Sequence, residues 1–256
     1  MRIELGISPC PNDIFIFAGL LHAEVDAGAL DLRVRYEDVE TLNRLTQAGV
    51  LDAAKISCAN YPRVESAYEM LDCGGALGSG VGPLLLTGGA PFDADAEVLV
   101  PGEFTTANFL LDYYLQRPVR KRFVLFDALY EELLERPDAQ GVVIHEKRFT
   151  YARDGLTLVR DLGEHWERET GYPIPLGMLV ARRGAGMAAP LAEAVRRSLA
   201  WSYAHEEKAI ALCREHAQDM EPAVIRAHIG LYVNEHSMRL GPDGEAAIAH
   251  FLGQLG

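Results

Sequence analysis

The sequence predicts an α/β protein of two lobes, one inserted into the other, joined by two crossing hinge strands with a cleft between the lobes. Three observations predict it. Strand-like and helix-like stretches alternate from the N-terminus. Two apolar runs flanked by glycine and proline, at about 81–88 and 174–182, bracket a second, shorter strand–helix series. The final third of the chain reads as helix. A length of 256 residues accommodates one large domain or two small ones, with ample capacity for a buried core.

Residues 3–7 form the first strand. The turn Ser8-Pro9-Cys10-Pro11-Asn12-Asp13 follows, and its prolines forbid both helix continuation and ladder donation, so the chain must change direction there. Asn12 and Asp13 are placed to cap a run with helical spacing (Ile14, Phe15, Phe17, Leu20, Leu21) that extends to about residue 23. A strand, a rigid turn and a capped helix start leave backbone N–H groups converging on one spot, a cradle for an anion or a polar small molecule. Residues 30–36 alternate apolar and charged side chains as a strand does, and 39–48 form a helix closed by Gly49. Residues 53–57 form a short buried strand ending at Ser57, which is placed to cap the next helix. Glycines are dense from 74 to 89 around the apolar run 81–87.

The second series runs strand 98–101, helix 105–115 opened by Thr105 and Thr106, strand 122–126, helix 128–136 and strand 141–145. Residues 171–177 (GYPIPLG) introduce another apolar strand that reaches residue 181, and helices 189–217, 222–232 and 243–255 complete the chain. The expected larger lobe is 1–87 with 176–256, and the expected inserted lobe is 88–175. Ligand sites favour the cleft such an arrangement creates, where strand ends and helix N-termini converge.

A net charge of −13 argues against a nucleic-acid partner, because phosphate neutralisation needs clustered Lys and Arg. The one basic knot, residues 117–122 (RPVRKR), reads as a solvated helix end. No apolar run approaches the roughly 20 residues that span a bilayer, and the first residues lack a signal peptide's basic start and apolar core. An intracellular, cytoplasmic protein without a membrane partner is therefore expected. The four cysteines (Cys10, Cys58, Cys73, Cys213) are scattered and form no CxxC pair, which suits a reducing compartment. No HExxH and no histidine pair at ligand spacing is present, so neither metal nor cofactor is expected. The GSGVG stretch (78–82) is no dinucleotide fingerprint, since its glycines precede a strand instead of opening a helix after one. Hinge flexibility is the reading preferred for it.

Four segments bring loop residues toward the cleft. They are the 8–13 turn with Ser8, Asn12 and Asp13; Ser57 and Cys58 after the third strand; Thr105, Thr106 and Ala107 at a helix start; and His145 at the end of an apolar strand. The hydroxyls have a plainer reading as helix caps. His145 is either a satisfied structural histidine or a general base, a role for which an imidazole is the natural side chain at neutral pH. Cys10 and Cys58 suit small buried cysteines better than a Cys–His nucleophile pair. The stretch 190–217 reads as one long helix with an apolar inner face. Trp201 and Tyr203 on it read as packing or lobe contacts in preference to a cofactor box, and 205–208 form a solvated face.

The opening SPCPNDIFIF resembles the signature of the 1,4-dihydroxy-6-naphthoate synthases of the futalosine route to menaquinone. Further matching stretches are LDAAKISCANYP (51–62), GSGVGPLLL (78–86), VPGEFTTANFLL (100–111), VVIHEKRFTY (142–151), GYPIPLG (171–177) and LYVNEHS (231–237), which span nearly the whole chain in order. The resemblance implies a fold like the type II periplasmic binding proteins. It implies a carbon–carbon lyase that converts cyclic de-hypoxanthine futalosine to 1,4-dihydroxy-6-naphthoate with release of dihydroxyacetone. The family's base falls on His145 and its polar pocket on Ser57 and the Thr105-Thr106-Ala107 helix start. The family usually has threonine after Asn-Asp, where this chain has Ile14, so the backbone of the turn is left to do the holding. The expected partner is a small-molecule carboxylate, with a homodimer as an option. The alternatives are chorismate dehydratase of the same pathway and a non-catalytic small-anion binding protein.

Overall fold

The apolar run at the N-terminus becomes strand β1 (Arg2–Ile7), followed by helix α1 (Pro11–Leu21), β2 (Asp31–Tyr36), α2 (Val39–Gln47), β3 (Ala53–Ser57), α3 (Tyr61–Val64), β4 (Tyr68–Met70) and β5 (Ala76–Gly78). Next come β6 (Leu84–Thr87), β7 (Val98–Val100), α4 (Thr106–Leu115), β8 (Lys121–Phe123), α5 (Phe126–Glu135), β9 (Gln140–Val143), a 3-10 turn (His145–Phe149), β10 (Thr157–Asp161) and α6 (Leu162–Thr170). The chain ends with β11 (Ile174–Arg182), α7 (Ala188–Ala204), α8 (Glu206–His216), α9 (Pro222–Tyr232), α10 (Glu235–Met238) and α11 (Gly241–Gly253). These elements belong to a computed structural model that describes every residue except Val81, Gln218, Asp219 and Gly256. Two compact units result, residues 1–78 with 175–256, and residues 79–174.

Among the described residues the first unit is built on a six-stranded sheet in the order β2-β1-β3-β11-β4, with β5 also paired to β11. β1 is parallel to both neighbours, pairing Leu5 with Val34 and with Ala53. Alternate side chains of a strand point to one face of its sheet, and Ile3, Leu5 and Ile7 are fully buried. β11 runs antiparallel to β3, pairing Gly177 with Ser57 and Ala181 with Ala53. α1 is buried along nearly its whole length from Pro11 to Gly19, because α7, α8 and α9 pack around it. Its core partners include Leu191, Val195, Leu199, Ile210 and Ile225.

The single helix expected over 189–217 is two helices. At His205 the backbone leaves helical geometry (φ −131°, ψ 46°). Its ring Nδ1 lies 3.0 Å from the Trp201 carbonyl, the group that also accepts the His205 backbone N–H. Such local bonding competes with helix continuation, and the ring stacks on Trp201 at a centroid distance of 4.8 Å.

The second unit, again among the described residues, has a five-stranded sheet ordered β10-β6-β9-β7-β8. β6 is antiparallel to β9 and β10, whereas β7 is parallel to β8 and β9. Leu84, Leu86, Leu99, Leu129, Leu133 and Val143 form its core. The run expected as a hinge strand of the larger lobe is thus an inner strand of the inserted unit. Leu84–Leu86 are buried between β9 and β10, so the boundary falls after residue 78 and not after 87. Of the GSGVG stretch, Val81 lies outside the described residues. Gly80 has φ +71°, and a Cβ on Gly82 would come within 2.2 Å of the Gly163 backbone, so close approach is one reason for glycine here. β4, β5, β10 and α6 are additions to the sequence reading. No helix among the described residues is long and apolar enough to cross a membrane.

Candidate functional site

In the first unit the 8–13 turn closes around Asp13. Cys10 is the N-cap of α1 without a side-chain capping bond, and Pro11 takes the first helical position, where its missing N–H costs nothing. Asn12 and Asp13 therefore lie inside the first turn and do not cap it, because the two prolines advance the helix start. Asp13 Oδ2 instead accepts from the Ser8 N–H (3.1 Å) and the Ser8 hydroxyl (2.8 Å). Its Oδ1 accepts from Asn12 Nδ2 at 2.9 Å and lies 3.4 Å from Lys55 Nζ. Lys55 comes from β3, is 5% exposed, and also donates to the Gly74 carbonyl. This buried ion pair locks the turn to the sheet, and the sequence reading did not include Lys55. The available signal was a lone lysine inside the apolar strand Ala-Ala-Lys-Ile-Ser.

Asn12 Oδ1 is 3.0 Å from Nε2 of His228, a buried residue of α9. Ser57 ends β3 without a side-chain cap bond, a correction to its expected role. Its hydroxyl accepts from Asn43 Nδ2 (3.1 Å) while its N–H donates to Asn43 Oδ1 (2.9 Å), so α2 holds it at both ends. Cys58 is fully buried, and burial pushes its thiol up to about 12, which removes it as a thiolate nucleophile at neutral pH. Ser8, Asn12, Asp13 and Lys55 thus share one polar network, while Ser57, two residues beyond Lys55 on β3, is held separately by Asn43.

In the second unit Thr105 caps α4 as the sequence predicts. Its hydroxyl accepts from the Asn108 N–H at 3.2 Å and donates to the Gly102 carbonyl at 2.9 Å. Thr106 and Ala107 occupy the first turn and are buried. First-turn N–H groups together with the helix dipole favour an oxyanion or carboxylate.

His145 does not end a strand. β9 stops at Val143, and His145 opens the 3-10 turn with φ +57°. Three described non-glycine residues have positive φ, and the other two have an ordinary cause: Ala23 and Gln116 terminate α1 and α4. His145 follows no helix. A non-glycine residue in the left-handed region costs about 1–3 kcal/mol and persists where its surroundings impose it, most often at functional sites. The ring stands edge-on to Phe126, with centroids 5.4 Å apart and planes at 83°. Among the described residues no group of three or more His, Cys, Asp or Glu could hold a metal ion.

The second unit supplies an imidazole in an imposed conformation and helix-start donors, and the first unit, by itself, supplies a rigid turn. Such parts suit abstraction of a proton next to a carbonyl, with the developing oxyanion met by N–H groups.

Residues 3–255 match the family model described as menaquinone biosynthesis. A relative from Thermus thermophilus named 1,4-dihydroxy-6-naphtoate synthase is 46% identical over 258 aligned residues, covering 98% of this chain and 93% of the relative. A crystal structure of a protein from Archaeoglobus fulgidus superposes with a TM-score of 0.92 at 27% identity, covering 99% of this chain and 96% of that one. A Candida albicans protein described as having the generic periplasmic binding protein fold superposes at a TM-score of 0.67, with 12% identity over 100% of this chain and 90% of that one. The last likeness identifies the fold alone. The whole-chain family match and the 46% identical relative together establish that this chain belongs to the menaquinone-biosynthesis family.

Proposed function

We propose that the protein is a cofactor-independent carbon–carbon lyase that converts cyclic de-hypoxanthine futalosine to 1,4-dihydroxy-6-naphthoate and releases dihydroxyacetone in the cytoplasm. The single observation that carries the chemical part is the conformation of His145. It is the one described non-glycine residue with positive φ that no helix end explains, and it carries the side chain best suited to proton transfer near neutral pH. The name of the Thermus thermophilus relative supplies the product.

In this reading the neutral imidazole of His145 takes the proton next to the substrate carbonyl. The electron pair moves into an enolate, whose oxygen is met by N–H groups at the start of α4 around Thr105, Thr106 and Ala107. Collapse of the carbon skeleton toward the aromatic ring breaks the carbon–carbon bond, and His145 returns its proton to the departing three-carbon fragment. Ser57 and Cys58, at the end of β3, and the turn of Ser8, Asn12 and Asp13 hold the substrate, whose carboxylate suits helix-start donors in a chain of net charge −13 because those donors act locally. Ile14 is fully buried beside this turn, so the turn offers backbone, serine and asparagine groups and no hydroxyl from position 14.

The test is incubation of the purified protein with cyclic de-hypoxanthine futalosine, with product followed by liquid chromatography and mass spectrometry. Appearance of 1,4-dihydroxy-6-naphthoate and dihydroxyacetone in equal amounts is expected. A folded protein that makes neither refutes the reading. Dehydration of chorismate in a parallel incubation, or retention of an unaltered ligand, would replace it with the sister reaction or with a binding protein.

A further inference from the structure

The 3-10 turn that presents His145 is fastened by one of its own side chains, Arg148. In a 3-10 turn residues three apart share one face, so Arg148 lies one turn beyond His145. Arg148 Nη1 donates to the Gly82 carbonyl, and Nη2 donates to Asp161 Oδ2 at 3.0 Å. Both side chains of this ion pair are only 14% exposed. Asp161 Oδ1 accepts at 3.0 Å from the N–H groups of both Gly163 and Glu164, capping α6. Gly82 passes so close to Gly163 that a methyl on either would collide with the other's backbone. The Leu162 N–H bonds the Pro83 carbonyl at 2.9 Å. Glu167, one turn further along α6, accepts from the Gly80 N–H at 2.8 Å.

Gly82 just ahead of β6, the α6 start and the 3-10 turn thus meet at one planar guanidinium. Its fork geometry suits two acceptors at fixed angles, which an ammonium cannot reproduce. A left-handed residue needs its neighbours held, since relaxation to an ordinary φ would swing its side chain away. We propose that Arg148 and Asp161 are positioning residues for His145, clamping the 3-10 turn to Gly82 and to the α6 cap so that the imidazole is fixed in its left-handed conformation.

The inference rests on His145 being the base, and the experiment separates the two claims. Steady-state kinetics with cyclic de-hypoxanthine futalosine are measured for Arg148→Ala, Arg148→Lys, Asp161→Asn, His145→Gln and the His145→Gln/Arg148→Ala double variant. Asp161→Asn retains a good α6 cap while removing the charge, so it reports on the clamp even where Arg148→Ala fails to fold. Misplacement of a catalytic group by an ångström can cost about 100-fold. A kcat loss of about 30- to 100-fold at KM changed less than about threefold is expected for Arg148→Ala. Arg148→Lys, which keeps one of the two contacts, should recover several-fold of that loss. In the His145→Gln background the Arg148→Ala change should leave the residual rate within about twofold, because residues acting through one group are not additive. A general structural role would instead multiply the two losses. Unchanged kcat in folded Arg148→Ala or Asp161→Asn, or a loss confined to KM, overturns the clamp while an inactive His145→Gln leaves the base standing. Wild-type turnover in His145→Gln overturns both.

Discussion

Replacing Asp13 by asparagine should destabilise the protein by about 3–5 kcal/mol, a large cost for an isosteric change, because one partner of a buried ion pair is lost. The geometry explains the size. The two oxygens of Asp13 have divided duties: Oδ2 serves both donors of Ser8, and Oδ1 faces Asn12 Nδ2 and Lys55 Nζ. An asparagine has one acceptor and one donor in that plane. With its oxygen toward Ser8, its NH2 meets an ammonium and another NH2; flipped, it meets both Ser8 donors. The first orientation loses one hydrogen bond and the ion pair and the second loses two hydrogen bonds, each hydrogen bond being to a charged group and worth about 1.5–3 kcal/mol. At 3.4 Å the gross attraction of Lys55 for the carboxylate is about 5 kcal/mol at an effective dielectric of 20. Removing it strands a lysine that is 5% exposed. A second substitution, Lys55→Met, removes that stranded charge, so the double variant should be more stable than Asp13→Asn alone by at least about 1 kcal/mol. Urea denaturation followed by far-ultraviolet circular dichroism measures all four corners of the cycle. A loss below about 1 kcal/mol for Asp13→Asn, with no recovery in the double variant, would refute the assignment of a buried, mutually dependent pair.

Burial pushes the thiols of Cys58 and Cys213 up to about 12 and that of Cys73 up to about 11, so at pH 8 all are protonated. Iodoacetamide should therefore modify half-buried Cys10 alone in the native state, and peptide mass spectrometry checks the site. Thr105→Ala should cost about 1 kcal/mol through loss of the α4 cap, read by urea denaturation, with KM for the substrate raised as well. Desolvation raises the carboxyl of Glu167 above its ordinary 4.5. A raised folded pKa means that this group's contribution to stability is complete below the unfolded pKa and falls as pH rises through the folded one. Glu167→Gln, which retains an acceptor for the Gly80 N–H, should thus gain stability relative to the wild type between pH 4 and pH 7, with Tm about 1–2 °C closer to or above it at pH 7. An equal Tm difference at both pH values would contradict the desolvation cause.

Much of this fold is legible because its local signals agree with its burial. β1 reads as a strand from alternating Ile3, Leu5 and Ile7, and all of them are buried. Thr105 reads as a cap and is one. Failures occur where a choice is made by groups distant in sequence. The apolar run after Val81 looks like a hinge strand, but only the presence of β9 and β10 makes it an inner strand of the second unit. Pro11 moves the helix start back, so that Asn12 and Asp13 bond Ser8, Lys55 and His228 instead of the backbone ahead. Lys55 escaped notice because a lysine is ordinarily solvated, and its partner lies 42 positions earlier on another element. Asp161 followed by Glu164 is a capping-box pattern ahead of Leu162, His165 and Trp166 at helical spacing, so α6 was readable from sequence. The left-handed φ of His145 has no sequence signature, since histidine merely tolerates that region better than most residues.

The most direct test of the central claim is a comparison of wild-type protein with His145→Gln, each incubated with cyclic de-hypoxanthine futalosine and sampled by liquid chromatography and mass spectrometry. Glutamine keeps a polar side chain of similar reach but cannot take the proton. The account expects 1,4-dihydroxy-6-naphthoate from the wild type and a loss of at least about 100-fold in kcat for the variant, the lower end of what a general base contributes. Naphthoate formed by both at the same rate would contradict it.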